Sequence, residues 1–224
     1  MRKIIIALTI LAFFTCLILG LFASNLIPGL DQTSDSQSAI NSPASPFQHN
    51  ILMVHVDSLL AKNPQLVSVW GAILYFPEPK IILQLLYPLD FDQDATILAS
   101  FSLTAAKNPV SGFLKKINQT TEIQWDHFLV VDQQTMATIL TEMTLATGVK
   151  VNDPSAMDGQ AEITFYKQVC ATIFDQGKYF LNDFVWSEII PMHIRTDLPV
   201  DTALVIWEKL SSTPNPIQCH VYEE

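Results

Sequence analysis

The stretch from Asn50 to Asp90 constrains the fold more than any other part of this 224-residue chain; it opens NILMVHVDSLL and closes WGAILYFPEPKIILQLLYPLD. Ile51 to Val56 is apolar on both alternating faces except at His55, the pattern of a strand buried on both sides of a sheet. It ends on a carboxylate, Asp57. Trp70 to Phe76 and Ile81 to Tyr87 are two further β-rich runs, and the short link Pro77-Glu78-Pro79-Lys80 predicts a hairpin between them. The hairpin leads into Pro88-Leu89-Asp90, a second acid at a strand end. A core strand and a hairpin that both deliver carboxylates outline a pocket rim.

The amino terminus has a different character. Met1-Arg2-Lys3 precedes Ile4 to Ala23, twenty residues without a charge. That length suits a transmembrane helix, and it exceeds the roughly 7–15-residue apolar core of a cleaved signal peptide. We read residues 1–3 as a cytoplasmic tip, 4–23 as an uncleaved membrane anchor, and the remainder as extracytoplasmic, because Arg2 and Lys3 stay inside. Residues 24–48, with Pro28, Pro43 and Pro46 among Ser, Asn, Gln and Asp, form a flexible tether. Two of the 12 basic residues precede the anchor; the other ten, set against 22 acidic side chains, leave a net charge of −12 beyond it. A surface of that sign repels nucleic acid, which is excluded as a partner.

Beyond Asp90, Phe91-Asp92-Gln93-Asp94 is read as a solvated acidic loop, since it lacks the Gly and distal Glu of a calcium-binding loop. Asn108 to Asn118 predicts a short helix with Val110, Phe113, Leu114 and Ile117 on one face. Ile123 to Val131 predicts a strand with Asp126-His127 solvated at its start. Asp132 is the N-cap of a helix carrying Met136, Ile139, Leu140 and Met143, which stops at Thr147-Gly148 before a short strand, Val149 to Val151. Three helical patterns follow: Phe165, Val169, Ile173 and Phe174; Leu181, Phe184, Val185 and Ile189; and Val200, Leu204, Trp207 and Leu210. Residues 213–224 are read as a polar tail. His55 is expected to be buried and hydrogen-bonded. Trp70, Trp125, Trp186 and Trp207 are expected in the core. Cys170 is expected as a buried thiol and Cys219 as a free one, with a disulfide between them as the alternative. The order of elements predicts a mixed α/β (α+β) fold over residues 49–212, a central β-sheet with helices packed on its faces.

The order of these pieces resembles the LytR-CpsA-Psr family of bacterial cell-envelope proteins. Asn50 to Ser58 looks like that family's opening strand and Val-Asp-Ser-Arg motif. Ile73 to Asp90 looks like its hairpin and Pro-Arg-Asp motif. Trp125 to Val151 resembles its strand, Val-Asp, helix and Gly-Gly-Val-x-Val segment, and His193 to Leu210 resembles its closing strand, Thr-Asp-Leu and helix. The resemblance implies a domain that moves a glycopolymer from a polyprenyl pyrophosphate carrier onto peptidoglycan with Mg²⁺. It would use cations to hold the diphosphate. It assigns Asp57 and Asp90 as the remnants of the catalytic and metal-binding motifs. No cofactor is fixed by the residues themselves; Mg²⁺ is the one that the resemblance allows.

The departures from the family pattern are in the cations. Val-Asp-Ser-Arg reads Val56-Asp57-Ser58-Leu59, Arg-Ser-Asp reads Leu66-Val67-Ser68, and Pro-Arg-Asp reads Pro88-Leu89-Asp90. The arginine-rich loop and helix start read Asp153 to Gln168, which has only Lys167. The chain holds two arginines, Arg2 and Arg195, and bidentate phosphate recognition is the work of arginine. Three functions stay open on the sequence. The first, which we favour, is a degenerate, non-catalytic member that binds a polyprenyl lipid, a glycopolymer or cell-wall glycan, or an envelope partner. The second is an active phosphotransferase rebuilt around Asp57, Asp90, a metal and Lys62 or Lys167. The third is a purely structural interaction domain.

Overall fold

Strand β1 (Gln48–Val56) is central because both of its faces are apolar. Leu52, Val54 and Val56 lie on one face, all fully buried, and Met53 and His55 lie on the other. The computed structural model describes residues 47–76, 78–89, 91–147, 161–171, 192–212 and 217–222. The apolar run 4–23, the tether to residue 46, Asp90, the strand expected at 149–151 and the helical pattern from Leu181 to Ile189, with Trp186, lie outside the described residues.

The expected hairpin is present. β2 (Leu66–Tyr75) and β3 (Lys80–Tyr87) pair antiparallel, and β2 also pairs antiparallel with β1. β4 (His127–Asp132) lies parallel to β1 on its other side. The short β5 (Ile194–Thr196) adds to β4, and β6 (Gln218–Tyr222) adds to β3, giving the order β5-β4-β1-β2-β3-β6.

Helices cover both faces of the sheet. Ile97 of α1 (Phe91–Ser100) and Phe113 and Ile117 of α2 (Ser111–Thr121) pack against the Leu52, Val54 and Val56 face. Helices α3 (Gln133–Thr147), α4 (161–171) and α5 (Val200–Ser211) contribute Met136, Phe165, Ile163, Ile206 and Leu210 to the other face.

Several sequence expectations are corrected. The acidic stretch after Asp90 is helical rather than a loop, and the carboxylate of Asp94 reaches back to accept from the Leu89 N–H at 2.9 and 3.0 Å. α2 starts at Ser111, three residues later than Asn108, because Val110 is extended. β4 starts at His127 rather than Ile123. Asp126 is not a solvated residue: its N–H donates to the Asn50 carbonyl, and its carboxylate accepts from the Asn50 N–H, both at 2.8 Å.

On α5 the core side is Ile206 and Leu210, whereas Val200 and Leu204 are 74% and 61% exposed. The polar tail contributes β6, whose half-buried Cys219 and Val221 pack on the sheet core. Cys219 is not a free thiol; it forms a disulfide with Cys170 of α4, with Cα atoms 5.2 Å apart. Trp125 sits half-buried over Gly71 of β2, where a Cβ would run into the indole ring.

Candidate functional site

β1 and β4 are parallel, so their carboxyl ends open on the same edge of the sheet, the place where α/β proteins gather ligands. Asp57 follows β1 directly. It is exposed, but its Oδ1 accepts from the backbone N–H groups of Ser58 and Gln65, both at 2.7 Å, while its own N–H donates to the Gln65 carbonyl at 3.0 Å. In this structure Asp57 therefore closes the loop from 57 to 65, a role the sequence reading did not assign. Lys62 lies exposed in that loop.

Asp132 ends β4 and caps α3 as expected: its Oδ1 accepts from the Thr135 N–H at 3.0 Å. Its Oδ2 lies 2.7 Å from Nδ1 of His193 and also accepts a long 3.4 Å bond from the Leu59 N–H. The Thr135 hydroxyl, 3.2 Å from the same Oδ1, also donates to the His193 carbonyl at 3.0 Å. Both carboxyl oxygens of Asp132 are thus engaged by its neighbours, in a residue only 1% exposed.

The principal finding at this end of the sheet is Glu162 of α4, which is fully buried. Its Oε2 accepts from the Ser68 hydroxyl at 2.5 Å and from the Trp70 indole N–H at 2.7 Å, and its Oε1 lies 2.5 Å from Nδ1 of His55. The strands prearrange these partners. His55 and Ser68 are directly paired between β1 and β2, and Trp70 follows two residues later on the same face. A buried carboxyl group is tolerated where its oxygens are satisfied in this way. The ring of Tyr166, one turn along α4, lies 4.6 Å from that of Trp70. Burial, and then the nearby Glu162, push its hydroxyl well above the usual tyrosine range. At the end of β3, the hydroxyl of Tyr87 is likewise raised, first by burial and then by Asp94.

Sequence reasoning placed His55 and Trp70 correctly and missed Glu162. The signal was available: Glu162, Phe165, Tyr166, Val169 and Cys170 fall on one helical stripe, and an acid on an apolar stripe needs a buried partner. Asp57 and Asp90 are not shown as a pair, since Asp90 lies outside the described residues. Among the described residues, no group of three or more His, Cys, Asp or Glu side chains is placed to hold a metal ion. Lys167 lines a cleft beside β6, a strand separated from β1 by β2 and β3.

The six-stranded sheet with helices on both faces is a LytR-CpsA-Psr-like fold. Among solved structures, TagT bound to LIIa-WTA is similar over 79% of this chain and 78% of its own, with a TM-score of 0.50 at 9% identity. Lin1025 protein from Listeria innocua is similar over 78% of this chain and 83% of its own, with a TM-score of 0.50 at 11% identity. TagT is an enzyme of the LytR-CpsA-Psr family. Likeness at these identities concerns the fold. No family model matches the chain, and no curated protein matches it in sequence.

Proposed function

We propose that this chain is a membrane-anchored, extracytoplasmic cell-envelope domain that has kept the LytR-CpsA-Psr-like fold and binds a polyprenyl-linked glycopolymer without transferring it. The observation that carries this reading is the buried carboxyl group of Glu162. Two of the stretches that depart from the family pattern meet there: Glu162 belongs to the Asp153 to Gln168 segment, and Ser68 to Leu66-Val67-Ser68. Where the resemblance expects guanidinium groups around a diphosphate, the described chain buries an acid and satisfies it internally. A diphosphate brought to this part of the sheet would lie over two buried acids, Glu162 and Asp132, and would lack the arginine fork that offsets its charge. Asp57 remains at the strand end, but its Oδ1 is committed to loop closure. That weighs against a transferase rebuilt around it.

The test is a transfer assay with the purified chain in detergent, a lipid-pyrophosphate-linked glycopolymer, Mg²⁺ and peptidoglycan. The reading expects no polymer attached above the protein-free background, together with measurable binding of the lipid-linked polymer. Transfer that disappears in Asp57→Ala would establish an active enzyme instead.

A further inference from the structure

The apolar cluster under helices α1 and α2 takes in Leu52, Val54, Val56 and Val69 and ends before Ile82 of β3. Ile81, Leu83 and Leu85 of β3, with Cys219 and Val221 of β6, pack on the opposite side of the sheet. Successive strand residues alternate, so Lys80, Ile82 and Gln84 share the α1–α2 side with Gln218, His220 and Tyr222. The parallel register sets these six in three facing pairs: Lys80 with Gln218, Ile82 with His220, and Gln84 with Tyr222. Each row spans about 13 Å along its strand.

Gln218, His220 and Tyr222 are exposed, Tyr222 to 47%, and Lys80, Ile82 and Gln84 are half-buried. The rings of His220 and Tyr222 lie 6.4 Å apart, inclined at 43°. Ile82 is the one aliphatic side chain of the six, too little for the apolar centre of a protein interface. Two rings and two amides suit a sugar instead. A pyranose offers C–H faces to an aromatic ring and hydroxyls that donate and accept, as glutamine amides also do. The six include a lysine and a histidine and no acid, although the chain beyond Ala23 carries a net −12. Among the described residues no carboxylate pairs with Lys80. With a screening length of about 8 Å, these local side chains rather than the net charge set the sign that a bound group meets.

We propose that this face of β3 and β6 binds the repeating units of an anionic glycopolymer, with a sugar stacked on Tyr222 and an anionic group paired with Lys80. Lys80 and Tyr222 stand at opposite ends of the array, so one polymer strand lying along β6 meets both. The proposal rests on the glycopolymer-binding function and gives the polymer a site apart from the strand-end acids, since β2 separates β3 from β1 and Asp57.

The experiment is calorimetric titration of the full chain in detergent with three probes: a phosphodiester-linked N-acetylglucosamine oligomer, the neutral β-linked oligomer of the same sugar, and inorganic polyphosphate. The expected result is that wild type binds the phosphodiester-linked oligomer more tightly than the other two. Tyr222→Ala should weaken that binding about tenfold, and Tyr222→Phe, which keeps the ring, should retain most of it. Lys80→Gln should bring the phosphodiester-linked and neutral oligomers to the same affinity. His220→Ala, with the same expected loss, decides the matter if Tyr222→Ala fails to fold. An oligomer that does not bind wild type, polyphosphate that binds as well, or affinities unmoved in Tyr222→Ala and Lys80→Gln overturn the proposal. The same variants are titrated with the lipid-linked form of the oligomer. Binding that ignores them overturns this site and leaves glycopolymer binding standing, whereas no binding of the lipid-linked form overturns both. A wild-type dimer that Tyr222→Ala dissociates gives the face to a second copy and overturns the proposal equally.

Discussion

Trp70 donates its indole N–H to the carboxyl group of Glu162 at 2.7 Å, joining the middle of β2 to the start of the described part of α4 across the sheet core. Both residues are buried to at least 99%, so neither has water to fall back on. Truncation to Glu162→Ala should destabilise the domain by about 3–5 kcal/mol, because it strands the Trp70, Ser68 and His55 polar atoms together. Glu162→Gln, which keeps an acceptor for Trp70, should cost on the order of 1–2 kcal/mol. Urea unfolding of the two variants measures both. Equal losses would mean that packing, not hydrogen bonding, holds Glu162.

Tyr166 gives the account an alkaline signature. Its hydroxyl is raised by burial and by Glu162, so it stays protonated in the folded state above the unfolded value of about 10. Its contribution is fully present below that pH and is lost as pH rises further, since only the unfolded chain then releases the proton. Stability measured in steps from pH 8 upward should fall beyond about pH 10. In Tyr166→Phe that alkaline limb should become shallower.

The Cys170–Cys219 disulfide closes a sequence separation of 49 residues. Loop-closure entropy for that length puts its contribution at about 4 kcal/mol. The double replacement Cys170→Ser with Cys219→Ser should lose a comparable amount, and a reducing agent should lower the unfolding midpoint of wild type but not of the variant. No response of wild type to reductant would contradict the bond.

Gly71→Ala places a methyl group against the Trp125 indole. The overpacking should cost about 1–3 kcal/mol. Pairing it with Trp125→Leu should recover part of the loss. A double-mutant cycle in denaturant reads the coupling between the two positions directly.

β1 and the hairpin were legible in the sequence because their strands are long apolar runs, the hairpin's joined by a proline-containing link, although β2 starts at Leu66, ahead of the expected Trp70; the Asp132 cap also falls where expected. Three of the features that were not show why. β6 hid in a polar tail, since a five-residue edge strand with only Cys219 and Val221 facing the core has little apolar pattern. On α5, Val200 and Leu204 have the spacing of a core stripe but lie outside it, and periodicity cannot tell which of two apolar stripes meets the sheet. Glu162 was hidden because its partners lie 92 to 107 residues away in sequence. An acid next to His55, Ser68 and Trp70 exists only once β1, β2 and α4 are assembled.

The most direct test of the central claim is calorimetric titration of the purified chain in detergent with a short polyprenyl pyrophosphate, with and without Mg²⁺, alongside the corresponding polyprenyl alcohol. The account predicts that the pyrophosphate and the Mg²⁺ add nothing to whatever affinity the alcohol shows, and that Asp57→Ala changes nothing. Binding that requires Mg²⁺ and the diphosphate, and that weakens in Asp57→Ala, would contradict it and establish a working donor site.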